Sequence, residues 1–344
     1  MAEEYRKETE NKYLDKISEI CKILPKVITR YERSVQQVTE VKSRYAYLCD
    51  IKTFIEYLSS CTDIPMTEIT PADLEAVTKD DFEDYINYLQ KYEKNGKVYT
   101  NGKASIKRKI SALRNLYSYM FKSDLIHTCN IEKVDMPKLK KKEIVYMDSD
   151  EASDFIDTVS SGSVSGTMME KIYHDKLGYR NFVMINLMLS TGIRVSELVG
   201  LDVNDVDLKN SCIHVIRKGN VKDTVYFPDD IRDMLDEYTT ERCLDTSADT
   251  NALFLSTRKT RLSVRSVENI IKKYARKAVP LKDIHCHSTR SSFAMEFLKN
   301  SKGDIEGLQS ALGHASIATS QFYARSTQDM KKSKKEMVNF TRKK

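Results

Sequence analysis

The 344-residue chain lacks any run of apolar residues long enough to cross a bilayer. Its longest, Phe182 to Leu189, is far too short and is interrupted by Asn186. Paired cysteines are also missing. The seven that occur, Cys21, Cys49, Cys61, Cys129, Cys212, Cys243 and Cys286, are odd in number and scattered, with no C-x-x-C. That excludes a disulfide framework and a thiolate zinc site, and leaves reduced thiols in a cytoplasmic protein as the expectation. The stretch from Met1 to Tyr13 is charged and has no apolar signal-peptide core. Net charge is small, +6 with a pI near 8.7, a weak pointer to an acidic partner and no more. β-signal is scarce and internal repeats are absent.

What is present is helical pattern. Apolar residues make up 40% and charged residues 31%, as in a globular protein, and the length suits two domains. Apolar positions recur at three- and four-residue spacing over Tyr13 to Arg33 and Thr39 to Ser60, the second carrying Tyr47, Ile51, Phe54, Ile55 and Leu58. Thr70-Pro71 starts a short helix. A further run, Lys79 to Tyr92, is broken at Asn95-Gly96. From Ala104 to Phe121 the apolar face is Ile106, Ile110, Leu113, Leu116, Tyr117, Met120 and Phe121. Lys103, Lys107, Arg108, Lys109 and Arg114 lie largely off it, so one side can bury while the other presents positive charge.

Composition then shifts. Pro137 to Lys142 is basic and helix-poor, as an interdomain linker is. Asp148 with Glu151 makes a capping box that opens a second domain. A Ser/Gly loop covers Ser160 to Gly166, and a long helix follows to near Ser190. The single clear β-hairpin spans Ser211 to Pro228, turning at Lys218-Gly219-Asn220. The expected fold is mainly α: an N-terminal bundle, then a mostly helical domain with a small antiparallel sheet.

Four separated segments carry phosphate-friendly residues. Arg194 follows the helix end Leu187 to Gly192 in the string S-T-G-I-R-V-S-E-L; Lys218 sits at the hairpin tip. His287-Ser288-Thr289-Arg290 comes next, then Leu312-Gly313-His314 with Tyr323 nine residues beyond His314. Each alone has an ordinary reading: an ion pair of Arg194 with Glu197, a solvated lysine, structural histidines, a packing tyrosine among nineteen. Together, in this order and spacing, they resemble the tyrosine recombinase (phage integrase) family, most closely the simple two-domain recombinases of the Xer type. The resemblance covers nearly all of residues 40 to 325. Thr289 and Ser291 depart from the family's H-x-L-R-H, which alters the packing behind Arg290. His285 precedes His287, and only His287 has the three-residue spacing to Arg290.

The resemblance implies a site-specific enzyme that breaks and rejoins DNA through a 3′-phosphotyrosine, exchanging strands through a Holliday junction. Arg194 and Arg290 are then the phosphate clamp, which suits the planar, permanently charged guanidinium. His314 is a further donor and Tyr323 the nucleophile. His287 is the base for a phenol whose ordinary pKa is ~10, and Lys218, or failing it Lys222, is the acid for the leaving 5′-oxygen. No cofactor and no metal is expected.

The implied organisation is a helical extension over 1–35, a core-binding (SAM-like) bundle of four to five helices over 36–136, a linker over 137–147, a catalytic domain over 148–325 and a tail over 326–344 that docks on a neighbouring protomer or frays. Lys103, Lys107, Arg108, Arg114, Lys138, Lys140 and Lys141 become expected DNA contacts. The partner is double-stranded DNA held by a homo-tetramer, or by a hetero-tetramer with a related recombinase; no membrane is involved. A type IB-like topoisomerase and a catalytically silent DNA-binding relative are the alternatives.

Overall fold

Prolines and short polar caps divide the helical first third of the chain. The computed structural model describes residues 2–94, 96–139, 143–162, 168–217, 219–244, 250–313, 321 and 323. Pro25 has no amide hydrogen and disfavours helix in the residue before it. The run expected from Tyr13 to Arg33 is therefore two helices, α1 (Ala2–Lys22) and α2 (Lys26–Val35). α3 is Val41–Thr62. At α4 (Pro71–Ala76) the Thr70 hydroxyl accepts the Asp73 amide at 3.3 Å while the Asp73 carboxylate accepts the Thr70 amide at 2.7 Å. Thr78 and Asp81 repeat the box at α5 (Lys79–Gln90), meeting two orphan donors at each helix start.

Beyond α5 the chain does more than break. β1 (Lys91–Lys94) and β2 (Lys97–Thr100) form an antiparallel hairpin around Gly96, whose φ of 69° suits glycine. Tyr92 and Tyr99 pair across it with rings 5.3 Å apart, and Tyr92 stacks on Tyr88 of α5 at 4.9 Å. Four-residue strands held by a tyrosine stack leave too short an alternation to read as β from sequence.

α6 (Lys103–Lys122) buries Ile106, Ile110, Leu113, Leu116, Tyr117 and Met120 against Leu48, Ile51, Phe54 and Ile55 of α3. Phe121, expected on the same face, is 50% exposed. Ile17, Val27, Ile28 and Tyr31 of α1 and α2 enter this same core. These elements belong to one compact unit, Arg6–Lys141; Met1–Tyr5 with Lys142–Lys344 form the other.

The second unit opens with α7 (Ser149–Ser161), where the Glu151 amide donates to Asp148 Oδ1 at 3.0 Å and the Asp148 amide to Glu151 Oε2 at 2.9 Å. The expected Ser160 to Gly166 loop begins late, at Gly162, and residues 163–167 lie outside the described set. α8 (Met168–Thr191) supplies the central apolar helix and α9 (Val195–Gly200) follows. The expected hairpin is β4 (Cys212–Ile216) and β5 (Lys222–Tyr226), joined on its other side by β3 (Val206–Asp207) in the antiparallel order β3-β4-β5. Two residues of β3 are too few to show a period in sequence.

Four further helices lie among its described residues: α10 (Asp229–Leu244), α11 (Val264–Ala278), α12 (Cys286–Asn300) and α13 (Ile305–Leu312). Its core joins Phe155, Ile185, Leu187, Met188, Leu198, Ile213, Val215, Leu235, Val267 and Ile271. The architecture is mainly α, a helical bundle and a mostly helical unit with a small antiparallel sheet. Among the described residues no helix is long and apolar enough to cross a membrane. The tail expected from residue 326 lies outside them.

Candidate active site

Arg290 is the most enclosed of the expected site residues, 2% exposed on the second turn of α12. Its Nη1 donates to the Gly192 carbonyl at 2.6 Å and its Nη2 to the Leu312 carbonyl at 2.7 Å. Those acceptors lie at the C-terminal ends of α8 and α13, where helices leave carbonyls without intrahelical partners. Two helix ends thus orient one guanidinium. Burial, then the neighbouring Arg194, lowers the pKa of Arg290 to about 10, so it stays a cation at neutral pH.

Arg194 is the N-cap residue of α9, half-buried, with its amide donating to Glu197 Oε2 at 2.8 Å and its Nη1 to Glu197 Oε1 at 2.7 Å. Glu197 is a buried carboxylate, with a side chain 3% exposed, and it also accepts from Arg217 Nη1 at 3.0 Å. It is therefore no surface ion-pair partner but the anchor that orients Arg194. A glutamate three residues past an arginine at a helix start is the only sequence signal for it. Arg217, one residue of an alternating strand pattern, gives no signal in the sequence.

His287 stands one turn before Arg290 on the same face of α12. His287 is exposed at the surface, yet partial desolvation first, then the charges of Arg290, His285 and Arg194, hold its imidazole below the ordinary histidine range. A neutral imidazole is what a proton acceptor requires. His285 does something else. It is the N-cap of α12, and its Nδ1 accepts the Ser288 amide at 3.2 Å. His285 is thus engaged as a helix cap, whereas His287 has the three-residue spacing to Arg290. Ser291, where the family carries a second histidine, donates to the His287 carbonyl at 3.1 Å.

Tyr323 is 4% exposed and packs with Ala294, Met295 and Leu298 of α12 and Leu308 and Leu312 of α13. It lies within electrostatic reach of Arg290. Arg194, His287, Arg290 and Tyr323 are therefore brought together from separated segments of the chain. Lys218 and His314 lie outside the described residues.

The basic face of α6 is less available than its sequence suggests. Lys109 is buried, 3.1 Å from Asp50 Oδ1, and Arg108 pairs with the same carboxylate while its side chain stays 51% exposed. Arg114 donates to the Val134 carbonyl at 2.7 Å. Lys103 and Lys138 are exposed and Lys107 is half-buried; Lys140 and Lys141 lie outside the described residues. Asp50, 1% exposed on α3, is the reason: an unpaired buried carboxylate is costly, so it draws cations from α6.

Among the described residues one group could hold a metal ion, Asp207, Cys212 and His214, with ligand atoms within 4.8 Å of one another. Asp207 already caps Asn210 and His214 shares its Nδ1 with Thr224 at 3.3 Å, so the group is satisfied as it stands.

Two guanidiniums, an imidazole and a tyrosine thus meet in a helical unit with a small sheet, and such groups have the chemistry that binding a phosphate requires. Residues 146–330 match the Phage integrase family, and residues 28–123 match the Phage integrase N-terminal SAM-like domain. Tyrosine recombinase XerC of Caldanaerobacter subterraneus subsp. tengcongensis is 29% identical over 287 residues, covering 81% of this chain and 76% of its own. Tyrosine recombinase XerD of Staphylococcus epidermidis is 31% identical over 221 residues, covering 64% and 70%. The fold is also that of the XerH site-specific recombinase crystallised with palindromic difH substrate in a post-cleavage complex. That match has a TM-score of 0.66 at 20% identity and covers 86% of this chain and 79% of the other. The chain belongs to the phage integrase family, the tyrosine recombinases, and is an enzyme of site-specific DNA strand exchange.

Proposed function

We propose that Arg194 and Arg290 clamp the scissile phosphate of a duplex recombination site and that Tyr323 attacks it. The Tyr323 oxygen bonds to phosphorus, its proton passes to His287, and the 5′-oxygen leaves with a proton from Lys218. His314 adds a donor to the same phosphate. The bond energy is kept in the 3′-phosphotyrosine, so religation to a second strand needs no nucleotide cofactor. The observation that carries this reading is the Arg290 guanidinium, buried and oriented by the Gly192 and Leu312 carbonyls with Arg194, His287 and Tyr323 around it.

The unit Arg6–Lys141 is read as the core-binding domain and the unit containing Lys142–Lys344 as the catalytic one. Lys103, Lys107, Lys138, Lys140 and Lys141 contribute phosphate contacts; Arg108 and Arg114 contribute less, since each already has a protein partner. Strand exchange between two sites calls for four active centres, so the working form is a tetramer on DNA, in the cytoplasm.

The test selects a target from a randomised duplex pool with the Tyr323→Phe protein, then nicks it near its centre. Wild type should form an SDS-resistant adduct with the nicked duplex, and Tyr323→Phe should bind it without forming one. An adduct with the phenylalanine variant overturns the nucleophile. Relaxation of a plasmid lacking the selected site would mark a topoisomerase instead.

A further inference from the structure

We propose that Arg217 is a positioning residue of the strand-exchange site, tying the β4–β5 hairpin to Glu197, through Glu197 to Arg194, and to the turn at Gly313. The inference rests on the reading of Arg194 as a phosphate ligand.

Arg217 follows β4 directly and is 6% exposed. Its main-chain amide donates to the Val221 carbonyl at 2.7 Å, closing the end of the hairpin. Its side chain points inward. Nη1 donates to Glu197 Oε2 at 3.0 Å and Nε to Asp223 Oδ2 of β5 at 2.9 Å. One planar group thus holds two carboxylates from different elements, which a lysine ammonium cannot do with the same geometry.

A third segment meets the same guanidinium. Gly313, with φ of +58°, lies over Arg217 so closely that a Cβ there would stand 2.7 Å from Nε and 2.9 Å from Cζ. Glycine is needed at 313 for two reasons, the left-handed backbone and the arginine beneath it. His314 is the next residue. The hairpin, the Arg194 turn and the Gly313 turn, three segments that each carry or adjoin an expected site residue, therefore converge on Arg217.

The two carboxylates also show what Arg217 does not do. They neutralise it, so it is a poor phosphate ligand. Its effect on Arg194 is indirect: Glu197 shares its charge between two guanidiniums. Without Arg217, Glu197 holds Arg194 alone, more tightly and in a different place, and withdraws it from the phosphate.

The experiment uses the full chain and the selected nicked duplex, comparing wild type, Arg217→Lys, Arg217→Ala, Gly313→Ala and the Arg217→Ala/Gly313→Ala pair. Melting temperature, equilibrium DNA binding and the single-turnover rate of adduct formation are measured for each. Arg217→Lys should bind the duplex within about threefold of wild type, yet form adduct roughly 10- to 100-fold more slowly, the cost of an ångström-scale misplacement. Gly313→Ala should lose rate too, and adding it to Arg217→Ala should cost less than it costs wild type, because the clash has gone and only the left-handed strain remains.

Wild-type rates for Arg217→Lys, or losses that simply multiply in the pair, overturn the proposal. If Arg217→Ala does not fold, Asp223→Asn, which loosens Arg217 from its half-exposed side, must slow adduct formation at an unchanged melting temperature. A normal rate there overturns the proposal equally. Failure of wild type to form any adduct would instead count against the reading of the site on which this rests.

Discussion

Replacing Gly192 by alanine should damage the site more than it damages the fold. Gly192 has φ of +61°, and a left-handed backbone costs a non-glycine residue about 1–2 kcal/mol. An added Cβ would stand 2.6 Å from Phe293 Cδ1 and 2.7 Å from Leu312 Cδ2, which is overpacking worth about 1–3 kcal/mol. The sum, about 2–5 kcal/mol, corresponds to a melting temperature lowered by roughly 10 °C in a unit of this size.

The same methyl group pushes on both acceptors of Arg290. It sits on the residue whose carbonyl takes Nη1, and it presses Leu312, whose carbonyl takes Nη2. Adduct formation on the nicked duplex, measured well below the melting transition, should therefore fall ~100-fold. Gly200→Ala is the matched control: its Cβ would meet nothing within 4 Å and its φ is unremarkable, so it should be neutral or slightly stabilising. A Gly192→Ala protein that melts and cleaves like wild type would refute the role given to the Gly192 carbonyl.

Other consequences can be measured independently. Arg290→Lys should lose adduct formation by at least ~100-fold while keeping DNA binding, because an ammonium cannot span both carbonyls and still face the phosphate; single-turnover kinetics decide it. For His287 the folded pKa is depressed, so the unfolded chain takes up the proton first. Its contribution to stability is present above the ordinary value near ~6.5 and is lost as pH falls through the folded value. The acid limb of kcat/KM should accordingly lie below ~6.5, and Arg194→Ala should move it upward by removing a charge that opposes the imidazolium. An acid limb that does not move in that variant would separate His287 from the observed titration. Asp50→Ala should destabilise the unit Arg6–Lys141 by about 3–5 kcal/mol, since it strands the buried Lys109 ammonium; denaturant melts of the variant would show it.

Local chemistry makes much of this protein legible without coordinates. The Thr70, Thr78 and Asp148 caps bond to groups three residues away, so they can be read from adjacent letters. The same holds for α3 and α6, whose cores follow a helical period. The order and spacing of Arg194, His287, Arg290 and Tyr323 point to the family that the chain belongs to.

Tertiary structure alone decides which polar residues are free. Arg108 and Lys109 look like neighbours on a solvated face until Asp50, brought in by α3, pairs with both. Glu197 and Arg217 look like surface charges until the hairpin folds over α9 and buries them against each other. Burial and pairing across tens of residues have no period and no local motif. They arise only when elements pack, and an enclosed charge then takes whatever opposite charge the packing brings within reach.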